Sequence, residues 1–445
     1  MRKLLLVAAL FGAVATAQAE GYQINTLSAR QNGMGHTGAA LKLGSESQIF
    51  NPAGLGWLND NFQITGSVTG IFAHAKATLP DGSVWHTDNN AATPMSLTAA
   101  WRVSNTVKAG LAFFTPYGSS INWTDNWPGA VLNQSVSLKI YTIQPTVAWQ
   151  PLQGLSAGVG LMLSWGNVDL NKGLVTGESF DHMAQLLNMS VPPFGNTVPA
   201  SVNLKGTARM TAGVNLGVMY DITDQWTVGF SFRSLMHMKV HAGRASVRYA
   251  NTLAQTALEQ SLGTINKAEF RAQMPCAAVY TFGVSYRPVP SLTFAFDAQL
   301  TGWNAYKELN IEFLDTSLSA FDQHITKNYK NAWTFHMGAE WDVSERFDVR
   351  MGLMVDTSPV DRDFYNPETP GMTKIEPSVG VSFSPLPCLS IDASFLYVAG
   401  LGADNRQCPY TDMIAGSMGQ DPNREFKADY NLHSFCPSLG VTLSF

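Results

Sequence analysis

The eight residues SLGVTLSF (438–445) decide the fold, because apolar and small polar side chains alternate along them. Leu439, Val441, Leu443 and Phe445 occupy every second position, and serine, glycine and threonine occupy the others. A strand in the wall of a transmembrane β-barrel presents one face to lipid and the other to the lumen, which produces this period of two. The segment therefore predicts a barrel strand with an apolar outer face.

The same alternation recurs upstream. It is present in RMTAGVNLGVMY (209–220), SLTFAFDAQLTGW (291–303), WTFHMGAEW (333–341) and FDVRMGLMV (347–355). On this phase Asp297, His336 and Glu340 share the polar face of their strands. An ionisable side chain is costly against lipid and costs little in a wet lumen. We therefore expect these three side chains to point into the barrel.

The links between these segments alternate in length. Short links rich in Pro, Asp or Ser include 223–226, 287–290 and 342–345, and long links include 119–134, 167–201 and 241–275. Short turns on one side of the membrane and long loops on the other are typical of outer-membrane barrels. Counting the segments predicts an all-β fold, a transmembrane antiparallel β-barrel of about fourteen strands over residues 61–445.

Residues 1–19 have the charged, apolar and small-residue regions of a secretory signal peptide, with cleavage expected after Ala19. No later segment offers the roughly 20 apolar residues of a membrane-spanning helix. Only 14% of the residues are charged and the formal net charge is −5, which does not favour nucleic-acid binding. The chain is therefore predicted to reside in the outer membrane of a diderm bacterium.

Residues 20–60 break the pattern, since they are rich in glycine and show no sustained alternation. A barrel of about fourteen strands has more interior space than its own side chains fill. This segment is therefore predicted to form a hatch, or plug, inside the lumen.

Three stretches resemble one known family. They are GYQINTLSARQNGMGHTGAALKLGSESQIFNPAGL (21–55), GLAFFTPYGSSINW (110–123) and VDTSPVDRDFYNPETPGM (355–372). Together they resemble the FadL/TodX family of outer-membrane transporters for hydrophobic compounds. The resemblance implies a fourteen-stranded barrel with an N-terminal hatch and a kinked third strand that opens a lateral window. It also implies a ligand that is caught by extracellular loops and leaves sideways into the outer membrane.

The resemblance also assigns roles to particular residues. The hatch motif of the family matches Asn51, Pro52 and Ala53, and its aromatic residue near the inner ligand site matches Tyr22. The residues that match the third-strand interruption, and are candidates for ligand binding or the lateral gate, are Thr115, Pro116, Tyr117 and Gly118.

The sequence TPYG supports an interruption on physical grounds as well. Proline donates no ladder hydrogen bond and glycine weakens a strand. Unpaired backbone groups are costly in hydrocarbon, so a break within the membrane has to be covered by the hatch or by a ligand. The alternative is that Pro116 only ends the strand at the loop rim, because it would be about the tenth residue of that strand.

Loops 167–201 and 241–275 are the predicted ligand-capturing pair. The second loop has apolar residues at helical spacing, including Leu253, Ala257 and Leu258. Two apolar loop faces on the cell exterior can form a groove for a hydrophobic ligand. Equally, the two loops can pack on each other and only cap the barrel.

A fatty-acid carboxylate inside the barrel would need a cation or several hydrogen-bond donors. Strand phase predicts that Arg209, Arg233 and Arg350 face the lumen, and Lys239 is a further candidate. Asp297, Glu340 and Asp348 offer acidic partners on the same phase, so salt bridges to the hatch are an alternative role for each cation.

The sequence indicates neither an enzyme nor a metal site. It contains no Gly-x-Ser-x-Gly elbow, Walker loop or zinc-protease helix motif, and no cofactor is predicted. His237 and His241 lie on one strand face, but metal binding would require a third ligand.

Four cysteines, Cys276, Cys388, Cys408 and Cys436, are too few for a disulfide framework in a chain of this length. Cys408 and Cys436 flank the last long loop and are able to pair in an oxidising compartment. Cys276 is a competing partner for either, so the sequence leaves the pairing open.

The predicted function is passive uptake of hydrophobic compounds, with long-chain fatty acids as the first candidate ligand and outer-membrane lipid as the destination. One alternative is a scaffold that partners components of a secretion and surface-attachment system. Another is an open porin for polar solutes, against which the glycine-rich plug argues.

Overall fold

The computed structural model describes residues 21–445 except 187, 190 and 263–267. The predicted signal peptide, 1–19, lies outside the described residues. The described chain forms a closed, antiparallel barrel of 14 wall strands, as the alternation predicted. Three wall strands consist of two segments each, and four short strands belong to the loops.

The strands are β1 (Phe62–Thr69), β2 (Phe72–Thr78), β3 (Val84–His86), β4 (Met95–Arg102), β5 (Val107–Asn122), β6 (Ser135–Leu152), β7 (Leu155–Gly173), β8 (Ala200–Asp221), β9 (Trp226–Arg233), β10 (Met236–Tyr249), β11 (Ala268–Cys276), β12 (Val279–Val289), β13 (Leu292–Thr301), β14 (Glu308–Phe313), β15 (Gln323–Thr326), β16 (Ala332–Ser344), β17 (Phe347–Asp356), β18 (Lys374–Leu386), β19 (Leu389–Gly400), β20 (Ala403–Thr411) and β21 (Asn423–Ser444).

The helices are short. The α-helices are α1 (Ala29–Asn32), α2 (Ser47–Phe50), α3 (Gly177–Leu186), α4 (Thr252–Leu262) and α5 (Met413–Ser417). The 3₁₀ helices are Gly44–Glu46, Pro52–Trp57, Trp303–Ala305, Thr316–Phe321 and Arg362–Phe364. Across the described part of the chain, no helix combines the length and apolar character needed to cross a membrane.

The last strand closes the barrel on the first. β21 pairs with β1 from Gln63 opposite Ser444 to Thr69 opposite Ser438, and it continues along β2. Closure pairs the edge strands, which is what a sheet in hydrocarbon requires, because unpaired backbone groups find no water there.

The two faces of the wall follow the predicted alternation. Leu439 is 53% exposed on the outer face, as are Phe294 (44%) and Phe296 (41%) on β13. Asp297 and His336 are buried on the inner face. The same period that predicted the strands therefore also predicted which side of each strand meets lipid.

The paired strands reach further towards the cell exterior than the sequence suggested. Loop 241–275 was expected to be unpaired, yet β10 continues to Tyr249 and β11 begins at Ala268. Likewise β7 continues to Gly173 and β8 begins at Ala200. Above the membrane the outward positions become polar, so an apolar-out pattern no longer marks these residues as strand.

The long loops pack together above the barrel. Phe180 and Met183 of α3, Ala257 and Leu258 of α4, and Ile414 of α5 belong to one buried apolar cluster. The helical spacing seen in loop 241–275 thus corresponds to α4. The packing fits the capping alternative, and the ligand-capturing role of these loops stays a prediction.

Candidate functional site

Residues 21–60, called the luminal segment below, lie against the inner face of the wall. Asn51 donates from Nδ2 to the carbonyl oxygen of Ala39 within the segment (2.7 Å), and to those of Val218 (3.2 Å) and Phe230 (3.4 Å) on two wall strands. Its Oδ1 accepts from the N–H of Ala53, which caps the 3₁₀ helix that Pro52 begins. One asparagine side chain therefore joins two parts of the segment to the wall.

A wall carboxylate holds another part of the luminal segment. Asp297 of β13 accepts hydrogen bonds from the backbone N–H groups of Gly38 (2.7 Å) and Ala39 (3.0 Å). Backbone donors from a turn suit a carboxylate, because charge-assisted hydrogen bonds are stronger than neutral ones.

Glycines allow the segment to touch the wall backbone. A Cβ added at Gly352 of β17 would lie 1.9 Å from the amide nitrogen of Gly35. Gly35 itself has φ +64°, a conformation that glycine adopts without strain. Side chains at either position would push the segment away from the wall.

A buried ion network links α1 to the wall. Arg30 of the luminal segment pairs with Glu340 of β16 at 3.0 Å. Glu340 also pairs with Arg350 of β17, which contacts Asp348 (3.3 Å) and Asp392 (3.5 Å) as well. Arg350 is thus neutralised by carboxylates on β16, β17 and β19.

The wall is incomplete beside the third wall strand, β5. Within the described residues, the register of β4 against β5 runs from Arg102 opposite Lys108 to Ser96 opposite Phe114 and goes no further. On its other side, β5 pairs with β6 as far as Asn122, with an irregularity between Phe114 and Tyr117. The alternative in which Pro116 ends the strand is therefore wrong, because pairing with β6 carries the strand past it.

The start of the luminal segment supplies the missing partner. The N–H of Ile24 donates to the carbonyl of Pro116, and the N–H of Gly118 donates to the carbonyl of Tyr22, each at 2.9 Å. Gln23 forms an antiparallel bridge with Tyr117. The segment thus satisfies backbone groups of β5 that β4 leaves unpaired, as the cost of orphan groups demands.

Tyr22 anchors this contact inside the barrel. Its hydroxyl donates to the carbonyl of Pro275, and its ring meets Trp303 edge-on, with 4.7 Å between ring centroids. Burial is the main cause that raises the pKa of Tyr22 well above its ordinary value, so the phenol stays protonated and able to donate. Tyr117 likewise donates from its hydroxyl to the carbonyl of Ala277 (3.0 Å).

A cavity of about 620 Å³ occupies the gap beside β5. It is lined by Leu138 and Ile140, which face inward on β6, and also by Lys139 and Tyr141, which face outward on the same strand. Residues from both faces of β6 thus border this cavity. Ile24 of the luminal segment lines it as well.

A second cavity, of about 100 Å³, lies inside the barrel and is almost entirely apolar. Its lining includes Leu204, Ala208, Met238, Phe270 and Ile311. Its volume is of the order that accommodates one aromatic ring or a short alkyl segment.

The two cavities share a boundary. Leu138, Ile140 and Thr369 line both of them. Tyr22 lines the inner cavity, and the next residue but one, Ile24, lines the gap. Tyr22, which the resemblance assigned to the inner site, therefore lies close to Thr115, Tyr117 and Gly118 of the strand interruption, which line the gap. The hatch motif, Asn51, Pro52 and Ala53, lies elsewhere and holds the other end of the segment against the wall.

The predicted luminal cations do not share one position. Arg350 is buried in the ion network described above. Arg233 is partly buried and donates to the carbonyl of Ile49 in the luminal segment (3.4 Å). Neither arginine lines the apolar cavity.

The prediction that Arg209 faces the lumen is wrong, because its side chain is exposed on the outer face of the barrel. The register of β7 against β8 shifts between Ser164 opposite Thr211 and Gly166 opposite Ala208. Asn215 faces inward below the shift and Ala208 faces inward above it. The extra residue reverses the phase, so the alternation read from 209–220 assigns Arg209 to the wrong face.

All four cysteines are free, so the possible pairing of Cys408 with Cys436 is not formed. Cys436 packs in a small apolar cluster with Leu396, whereas Cys408 lies 3.7 Å from the hydroxyl of Tyr430. The described residues also contain no group of three or more His, Cys, Asp or Glu side chains able to hold a metal ion.

The sequence reasoning missed the loop residues that close the inner cavity. Tyr306 and Glu368 line it, and Glu368 forms an ion pair with the fully buried Lys327. Glu368 lies within the stretch 355–372 that carried the resemblance, but no local pattern connects it with Lys327, 41 positions away.

A closed barrel with an internal segment and an apolar cavity beside a gap in its wall defines an outer-membrane transport channel. The family model for outer membrane protein transport protein (OMPP1/FadL/TodX) matches residues 10–445. The chain therefore belongs to the FadL/TodX family of outer-membrane transporters for hydrophobic compounds.

Solved structures show the same fold. A FadL homologue from Pseudomonas aeruginosa superimposes with a TM-score of 0.79 at 17% identity, covering 96% of this chain and 100% of the other. The toluene transporter TodX of P. putida gives 0.69 at 14% identity, covering 95% and 99%. The 47 kDa outer membrane protein of Pasteurella multocida is 23% identical over 194 residues, 42% of this chain and 43% of that protein, so this match spans less than half of either.

Proposed function

We propose that the protein carries uncharged hydrophobic compounds passively from the cell exterior into the outer membrane. The ligand occupies the apolar cavity inside the barrel, passes Tyr22 and Leu138, and leaves through the gap beside β5. The observation that supports this proposal is the boundary shared by the two cavities, one of which is bordered by residues from both faces of β6. Transfer of apolar surface from water to lipid supplies the driving force.

The charges around the inner cavity favour an uncharged ligand over a long-chain fatty acid, the first candidate that the sequence suggests. Glu368 is the one charged side chain among the described residues that line it. This carboxylate is already paired with Lys327, and the candidate cations Arg233 and Arg350 are engaged elsewhere. A fatty-acid carboxylate would therefore enter without a free cation, at a substantial desolvation cost.

Uptake into proteoliposomes tests the proposal. Radiolabelled toluene and radiolabelled oleate are supplied to vesicles that contain the purified protein, and the initial rate for each is compared with protein-free vesicles. We expect the protein to accelerate toluene entry and to have a much smaller effect on oleate. If oleate is transported as fast as toluene, the preference for an uncharged ligand is contradicted and fatty acids become the favoured ligand class.

A matched pair of variants tests the route. Ala208→Phe fills the inner cavity, whereas Thr207→Phe adds the same bulk on the exposed outer face one residue away. Transport should fall towards the protein-free rate in the first variant and persist in the second. Normal toluene entry in Ala208→Phe would place the route outside this cavity. If no hydrophobic probe crosses or binds, the scaffold alternative takes precedence.

A further inference from the structure

A basic patch lies on the outer face of the barrel, on β8, β10 and β11. His237, Lys239 and His241 alternate with the buried Met238 and Val240 on β10, so the three polar side chains point away from the lumen. The neighbouring strands add Arg209 on β8 and Arg271 on β11, which are both exposed. This set of five residues is called the basic patch below.

Strand pairing brings the members of the patch together. Val240 pairs with Ala208 of the antiparallel strand β8, so Lys239 and Arg209, each one residue further along, lie on the same side of that pair. On the other edge, Lys239 pairs with Gln273 and His237 pairs with Pro275 of β11. A surface groove of about 590 Å³ is lined by His237, Lys239, His241 and Arg271.

The surrounding charges leave the patch with a positive excess. Arg271 is paired with Glu312 at 2.6 Å, and Lys205 nearby is paired with Asp169 at 3.2 Å. Glu308, which also lines the groove, accepts a hydrogen bond from Asn310. In the part of the chain that the structure describes, no ion pair or hydrogen bond engages the side chain of Arg209 or of Lys239.

The height of the patch on the barrel indicates its environment. Below it, Trp226 and Phe230 on β9 and Leu235 in the link between β9 and β10 are exposed and form part of the apolar belt. Trp226 follows a short turn, and about eleven tilted residues separate it from His237, which corresponds to an apolar belt of roughly 25 Å. The patch therefore begins where hydrocarbon ends on the extracellular side, at the level of the lipid headgroups.

We propose that the basic patch binds the phosphate groups of a phosphorylated lipid in the outer leaflet. Arginine and lysine are the side chains that recognise phosphate, through forked hydrogen bonds and point charge respectively. A basic groove at headgroup height on a net-acidic protein matches an anionic headgroup and not a second acidic copy of this chain. The basic side chains themselves face away from the lumen, whereas Val240, Ala272 and Gln273 beside them line both this groove and the inner cavity.

Binding of lipid A tests the assignment. The full-length protein in neutral detergent is titrated with lipid A carrying two phosphates, or with the same lipid A after the phosphates are removed, and bound lipid is quantified by native mass spectrometry. The phosphorylated form should bind and the dephosphorylated form should bind much more weakly. Equal binding of the two forms overturns the proposal.

Variants locate the site. Arg209→Gln combined with Lys239→Gln should weaken phosphorylated lipid A about thirtyfold, since each cation near an anionic headgroup contributes roughly fivefold. Arg102→Gln combined with Arg346→Gln removes the same charge at the opposite rim and should leave affinity near that of the parent. The double variant Arg209→Lys with Lys239→Arg keeps both positive charges and should retain most of the affinity of the parent protein for phosphorylated lipid A. Equal losses in the patch and control variants, or parent-like affinity in the patch variant, contradict the proposal.

Discussion

The backbone N–H of Gly118 donates a 2.9 Å hydrogen bond to the carbonyl of Tyr22, which joins the third strand of the wall to the first described residues of the chain. β4 stops pairing with β5 at Phe114, so the N-terminal residues take the place of a wall strand at this point. An opening in a membrane barrel is tolerated only where protein or ligand covers the freed backbone. Here the cover is a segment held by side-chain and backbone contacts, not by the barrel ladder.

Ile24→Pro should loosen this cover. Proline removes the N–H that Ile24 donates to Pro116, and losing one buried partner costs about 1–3 kcal/mol. We expect protection of the Gly118 amide against hydrogen exchange to fall by roughly ten- to a hundredfold. Exchange mass spectrometry on peptides that contain Gly118 provides the measurement.

Ile24→Ala is the matched control, because it shortens the side chain and keeps the N–H. Its Gly118 amide should remain nearly as protected as in the parent. If the proline and alanine variants exchange alike, the hydrogen bond from Ile24 does not hold the segment in place.

Arg350→Met should strongly destabilise the barrel. Arg350 is 2% exposed and faces three carboxylates, which would lose their shared cation. Breaking a buried ion pair from one side costs about 3–5 kcal/mol. The free energy of unfolding in guanidinium, measured in lipid vesicles, should fall by about that amount, whereas Arg346→Met in an exposed turn should change little. Equal stability of both variants would show that the network is dispensable.

Glu46 is expected to make the stability of the folded protein depend on pH. Burial, opposed by Arg30 and other groups, raises the pKa of Glu46 to about 7 from 4.5. Between these values the folded protein binds more protons than the unfolded chain, so the contribution of Glu46 to stability falls as pH rises through this window. The loss is at most about 3 kcal/mol.

Glu46→Gln isolates this effect, because glutamine does not titrate while the other buried groups remain. Thermal unfolding at pH 4.5 and pH 8 should show a smaller decrease in stability for the variant than for the parent. Identical pH dependence in the two proteins would mean that folding does not shift the pKa of Glu46.

Thiol labelling tests the free cysteines. Cys388 is exposed and the other three are buried, so the folded protein should react with maleimide at one site. After denaturation without reductant, all four should react. Cys388→Ser should abolish labelling of the folded protein. Only two reactive thiols in the denatured, unreduced chain would instead reveal a disulfide.

Much of the wall was predictable because it depends on a local property. A strand between lipid and water must alternate, so residues such as Asp297 and Leu439 could be assigned to a face from their neighbours alone. The same logic failed at Arg209, where one extra residue in β8 reverses the phase. A bulge is specified by how two strands pair, and a single strand's hydrophobic pattern does not reveal it.

The sequence by itself determined the barrel, its strand period and, through resemblance, the family. Only the tertiary structure decided which groups meet in the lumen: Tyr22 with Gly118, Arg30 with Glu340, and Lys327 with Glu368. Alternation arises because each residue faces either lipid or water, and it can therefore be recognised from neighbouring residues in the sequence. Contacts across the lumen join residues far apart in the chain, and closure of the wall selects them.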